Sequence, residues 1–204
     1  SKFIKTLKKF KEETVKVVLT LSELEQVENL ENVPPELQAI KDIFLIQIYT
    51  GLRNSDLNNL KKENINLRER RITIYTIKTQ DSTVIPISKK LQLILEKYNR
   101  EIPKMSSQWY NRGLKKLCKL AGIDSRVQLT HYIGNVRKDV IKPKYELVSS
   151  HTARRTFITL SLKKGVLPEM VMKVSGHKDR MSFQSYVRIS QEEAVDTLRD
   201  AWDS

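Results

Sequence analysis

Five short stretches put arginine, lysine, histidine and tyrosine where neither a simple core pattern nor a simple surface pattern calls for them. They are Thr50-Gly51-Leu52-Arg53-Asn54-Ser55-Asp56-Leu57, Lys78-Thr79, His151-Thr152-Ala153-Arg154-Arg155-Thr156-Phe157, Ser175-Gly176-His177-Lys178, and Tyr186. Arg53 directly follows the most apolar run of the chain. His151 and Arg154 stand one helical turn apart and so share a face. A guanidinium is a planar fork that meets phosphate oxygens bidentately and stays charged at any relevant pH. A tyrosine hydroxyl, with a reference pKa of about 10, is a poor nucleophile until cations or a base favour its phenolate. Gathered in one place, these groups could attack an anionic phosphorus centre and stabilise the added charge. Taken singly, each has a plainer reading. Arg53 could be a surface residue paired with Asp56, and Lys78 a solvated hairpin tip.

The order Arg, Lys on a hairpin, His-x-x-Arg, Gly-His, then Tyr resembles the tyrosine recombinase, or phage integrase, family. The likeness runs from about Thr20 through nearly the whole remaining chain, and the interval from His177 to Tyr186 fits the family pattern. The resemblance implies a catalytic domain that cleaves and rejoins double-stranded DNA through a 3′-phosphotyrosine bond, with Tyr186 as nucleophile. Arg53 and Arg154 would then balance the charge of the transition state, with His177 donating a third hydrogen bond. Lys78 would protonate the 5′ leaving oxygen. His151 would act as base near Tyr186 or orient the phosphate. Because the phosphotyrosine retains the bond energy, neither ATP nor metal is expected and no cofactor is implied. Ala153, Arg155 and Ser175 depart from residues common in the family (Leu, His and Leu). The resemblance also implies a helical core-binding domain of the same protein preceding this one, a homotetramer on DNA held by the C-terminal tail, and a role in integration or excision of mobile DNA. A type IB topoisomerase-like enzyme and a catalytically silent DNA-binding regulator are the rival readings.

The whole-chain balance agrees with a polyanionic partner. Thirty-seven Lys and Arg against 24 acidic residues give a formal charge of +13, beyond what solubility requires. Arg155 and Lys178, and Arg137 and Lys138 further upstream, are candidate DNA contacts on charge alone. There is no long apolar run and no basic amphipathic helix with a broad apolar face, which weighs against a membrane partner. Cys118 is the single cysteine, so no intramolecular disulfide can form, and with no leader-like segment a cytoplasmic location is expected. His131, His151, His177 and Cys118 lack metal-site spacing. The start at Ser1, without Met, reads as a fragment, with 1–18 the end of a linker and 19–204 the catalytic domain with its tail helix.

The elements that must position these groups are mainly helical, with a small antiparallel β-sheet. Thr20 or Ser22 caps a Glu-rich helix. Pro34 and Pro35 open a nearly all-apolar helix that Gly51 ends. Ser55 to Leu60 forms a short helix, and Arg71 to Thr76 pairs with Thr83 to Ile87 in a hairpin with Lys78 at its rim and Pro86 marking an edge. Helices at Lys89 to Tyr98 and Ser106 to Ala121 follow, the second carrying Trp109, Leu114, Leu117 and Leu120 largely on one side. A second hairpin spans Val127 to Gly134 and Lys138 to Leu147. The remainder is helical, broken at Gly165 and Gly176, and ends in an apolar stripe of Ala194, Val195, Leu198 and Trp202.

Overall fold

The computed structural model describes residues 17–75, 82–133, 136–177, 179–181 and 183–187. Lys78, Lys178, the tip of the second hairpin and the tail stripe lie outside the described residues. Among these residues, seven α-helices of the chain's main body are recognisable by their end residues. Thr20 caps α1 (Leu21–Glu28) through a capping box with Glu23. Pro35 opens α2 (Pro35–Thr50), and Gly51 closes it in the left-handed conformation at φ 69°. Then come α3 (Asn54–Asn58), α4 (Lys89–Lys97), α5 (Ser107–Leu120), α6 (Ser150–Lys163) and α7 (Pro168–Ser175). Residues 183–187 are also helical.

The strands form two separate sheets. β1 (Ile65–Asn66), β2 (Arg71–Tyr75) and β3 (Ser82–Pro86) make an antiparallel sheet in that order, in register Ile65↔Ile72↔Ile85. Pro86 is on the edge, as its missing N–H requires, but the expected two-stranded hairpin gains β1 as a third strand. β4 (Arg126–Ile133) and β5 (Val136–Pro143) form the second hairpin. The expected strand beyond Pro143 is instead a 3₁₀ turn over Lys144–Leu147. There Tyr145 folds back against the core, and its backbone N–H donates to Ile123 O.

α2 is the central beam, packed chiefly on α5 and α6. Its Ile40, Ile43, Phe44, Ile46 and Ile48 are all buried. Its few polar groups are buried with partners, as burial demands. Lys41 Nζ donates to the carbonyls of Glu28 and Leu30, tying off the end of α1. Asp42 accepts from Lys97 Nζ at 2.5 Å and from Tyr98 Oη at 2.7 Å, anchoring α4. α5 turns Tyr110, Gly113, Leu114, Leu117 and Cys118 inward. Trp109 and Leu120, read as sharing a side with Leu114 and Leu117, are 52% and 53% exposed, because the buried stripe turns toward Tyr110 and Cys118. Gly113 is the point of closest approach, where an added Cβ would lie 2.0 Å from Ile40 Cδ1.

One buried polar link passes from this core to the loop that carries Arg53. Gln47 accepts from Tyr110 Oη at 2.7 Å and donates to Leu52 O at 3.2 Å, and both side chains are fully buried. Tyr110→Phe should therefore cost about 1–3 kcal/mol, since it strands the Gln47 carbonyl in an apolar interior. Urea denaturation at constant m-value measures this, and an unchanged midpoint would show that Gln47 finds another donor.

Candidate active site

The site is built where the end of α2, the start of α6 and the end of α7 converge. Thr50 to Arg53 is pinned from within: Thr50 Oγ1 donates to Ile46 O at 2.7 Å, and Gly51 N donates to Gln47 O at 2.8 Å. Gly51 is required twice over. Its φ is left-handed, and a Cβ would lie 2.4 Å from Cδ1 of the Phe157 ring on α6. The chain leaves this turn extended at Arg53, whose guanidinium is partly exposed and lies 3.7 Å from Asp56 Oδ2, the expected orienting partner.

α6 starts at a Ser149–Thr152 capping box, and its first turn is held to α5 by Ser150 N donating to Asn111 Oδ1 at 2.8 Å. This start exposes His151 and buries Arg154 at 6% relative exposure. Arg154 Nη1 donates to Gly51 O at 2.8 Å, and Nη2 lies 3.3 Å from His177 Nδ1. Burial first, and then the nearby charge of Arg53, push the Arg154 guanidinium down to about 10, with Asp56 and Tyr186 opposing the shift. It remains protonated at neutral pH. Two like charges held together in this way are a cost to the fold and an attractor for an anion.

α7 ends at Gly176, left-handed at φ 63°, and His177 N donates back to Met172 O at 3.0 Å, which aims residue 177 into the site. The His177 ring makes edge contacts with Phe183 at 5.4 Å and Tyr186 at 6.0 Å between centroids. Residues 183–187 dock through Phe183, which packs with Ile158 and Val171 in a second small core that Phe157, Tyr186 and Val187 join. Tyr186 is thus held beside His177 and within electrostatic reach of Arg154.

The structure brings together Arg53, His151, Arg154, His177 and Tyr186. Arg155 flanks them, and its charge has the largest effect of the three arginine charges that, after burial, depress His151. Arg137 and Lys138 are exposed on β5, whose main contact outside its own hairpin is the 3₁₀ turn that follows it. Asp139 engages Arg137 Nε at 3.0 Å. Lys78 belongs to the β2–β3 connection outside the described residues, while β3 itself lies against α7. Phe183 and the Gly51 carbonyl had no place in the sequence reading. The spacing of Phe183 from Tyr186, one helical turn, was the signal available for the first. Among the described residues no cluster of His, Cys, Asp or Glu could hold a metal, and no helix is long and apolar enough to cross a membrane.

The fold and the site together match a known class. Residues 18–193 match the model of the phage integrase family, and the chain belongs to that family. It is 28% identical over 170 residues to tyrosine recombinase XerA of Saccharolobus solfataricus, a match covering 79% of this chain and 49% of that protein. The chain therefore spans about half the length of that relative. In architecture it resembles the crystal structure of XerA recombinase, with TM-score 0.65 and 20% identity over 90% of this chain and 65% of that one. It also resembles XerH site-specific recombinase bound to palindromic difH substrate in a post-cleavage complex, with TM-score 0.66 and 15% identity over 94% of this chain and 54% of the other.

Burial, followed by the charges of Arg154 and Arg53, lowers His177 to about 4, against about 6.5 for a free histidine. A folded-state pKa below the unfolded one means that the unfolded chain binds more protons between those two values. Stability is therefore lost as pH falls from about 6.5 toward about 4. Denaturant midpoints across this window should drop with acid in the wild type and drop less in His177→Gln. Parallel curves would mean that the folded chain protonates His177 freely.

Proposed function

We propose that this chain is the catalytic domain of a site-specific recombinase that breaks and rejoins double-stranded DNA without ATP, serving integration or excision of mobile DNA. The observation that carries the reading is the convergence of the Arg53 and Arg154 guanidiniums with His177 and the Tyr186 ring. In this reaction the Tyr186 hydroxyl oxygen attacks a backbone phosphorus. The Tyr–O–P bond forms as the P–O5′ bond breaks, leaving a 3′-phosphotyrosine and a free 5′-hydroxyl.

Arg53 and Arg154 meet the non-bridging oxygens, where charge builds up in the transition state, and act there more strongly than in ground-state binding. His151, at the rim and pushed below the usual histidine range by partial burial and the surrounding arginine charges, takes the tyrosine proton or orients the phosphate. Lys78, from the β2–β3 connection, supplies the proton to the 5′ oxygen. Rejoining runs the same steps in reverse with the 5′-hydroxyl of a partner strand. Arg155, Lys178 and the β4–β5 residues Arg137 and Lys138 follow the DNA backbone. Support for DNA as the substrate comes from the net charge of +13 and from the XerH neighbour, described as bound to its difH substrate after cleavage.

A nicked duplex carrying the protein's own recombination site traps the covalent step, because the short cleaved strand diffuses away. Full-length protein should form a detergent-stable adduct without ATP or added metal. Tyr186→Phe should reduce it by several orders of magnitude, and an undiminished adduct would place the nucleophile elsewhere. The apolar stripe Ala194, Val195, Leu198 and Trp202 is proposed to dock on a neighbouring protomer in a DNA-bound tetramer. Deleting the residues after Ser190 should then abolish assembled complexes in native gels while the thermal midpoint holds, and normal assembly would refute the docking.

A further inference from the structure

Ser175 stands where the family commonly has leucine, and it is 3% exposed. Its Oγ lies 2.6 Å from Val171 O and 2.8 Å from His177 Nδ1, with Met172 O more distant at 3.4 Å. A serine hydroxyl carries one proton, so the two short contacts can both be hydrogen bonds in one arrangement only. Oγ–H donates to Val171 O, and Oγ accepts a proton held on Nδ1. If Nδ1 instead presented its lone pair, Oγ–H could serve Val171 O or Nδ1 but not both, leaving two acceptors facing each other at under 3 Å. The guanidinium of Arg154 is a donor and would favour the Nδ1 lone pair. However, its Nη2 is further away, at 3.3 Å, and its better bond is the one from Nη1 to Gly51 O at 2.8 Å.

We infer that Ser175 is a positioning residue for His177: by accepting a hydrogen bond from Nδ1–H and donating its own to Val171 O, it fixes the ring's tautomer and leaves Nε2 as the atom that meets the phosphate. The ring is otherwise free to choose its tautomer, because no carboxylate touches Nδ1 among the contacts described. The chain carbonyl–hydroxyl–imidazole is oriented to support a ring that keeps Nδ1–H when a phosphate oxygen, an acceptor, approaches Nε2, the second N–H there being gained from solvent as the phosphate charge offsets the two arginines that depress the ring. The left-handed turn at Gly176 makes the arrangement possible by returning residue 177 over the end of the helix that carries residue 175. A leucine at 175 could do none of this, and His177 would then take its tautomer from Arg154 alone.

The contribution of His177 to the reaction rests on the recombinase reading above, but the hydrogen-bond assignment can be measured apart from it. In full-length protein with ¹⁵N-labelled histidine, the His177 signals are identified by their loss in His177→Gln. At neutral pH, long-range ¹H–¹⁵N spectra should show its Nδ1 protonated and its Nε2 unprotonated in the wild type and in Ser175→Thr. Ser175→Ala should shift it toward the Nε2–H form. A wild-type ring already in the Nε2–H form overturns the inference without recourse to any variant, and so does a tautomer unchanged in Ser175→Ala.

With the nicked-duplex adduct assay, Ser175→Ala should slow adduct formation roughly tenfold, the scale seen when a group orienting a functional histidine is lost. It should have no further effect in a His177→Gln background. An equal loss in both backgrounds would mark Ser175 as merely structural. The expected tautomer together with a wild type that forms no adduct would sink the recombinase reading and leave the Ser175 assignment standing.

Discussion

A guanidinium buried in a protein interior is stable only if its donors are met and the surroundings tolerate its charge. Arg154 meets that condition through the Gly51 carbonyl, and much of the local structure follows from that bond. The carbonyl is available because α2 stops in a left-handed turn. The turn is accessible because residue 51 has no side chain, and the missing side chain leaves room for Phe157, three residues beyond Arg154 on the same helix. Arg53 then leaves the turn extended with its guanidinium directed toward the same region. The apolar character of α2 and the layout of the candidate site are therefore two aspects of one arrangement. The rigid, dry helix is what allows a charge to be buried at its end.

The remaining candidate site groups attach to this centre by smaller devices. His177 reaches it from α7 across a glycine turn, and Tyr186 comes with a short helical segment whose Phe183 fills the gap between α6 and α7. The site is electropositive, with two guanidinium charges and two histidines whose pKa values are depressed, and this positive field is what suits it to receiving an anion. When a phosphate arrives, the repulsion between Arg53 and Arg154 is relieved, and the same charge that depresses His177 is offset.

Much of this was legible in the sequence because it rested on local rules. Pro35, Gly51, Gly165 and Gly176 punctuate helices by their backbone preferences, and Pro86 marks a sheet edge because it lacks an N–H. The Arg, His and Tyr positions stood out as polar groups beside apolar runs. What was not legible depended on contacts distant in sequence. β1 is two residues long and has no periodicity of its own, existing only by pairing with β2. The exposure of Trp109 and Leu120 was decided by where α5 meets Ile40. Ser175 was visible as a departure from the family pattern, but its meaning required the position of the His177 ring.

The contact between Gly51 and Phe157 works like a tooth seated in a notch. It sets how far α6 can slide along α2, and with it the spacing between the two guanidiniums. Segments bearing the two arginines are thus matched parts. Transplanting the His-x-x-Arg helix from a relative into this chain, or the reverse, would preserve the inter-arginine distance only if the notch and the ring travel together. A chimera that carried one without the other would keep every candidate site residue while losing the ruler that spaces them.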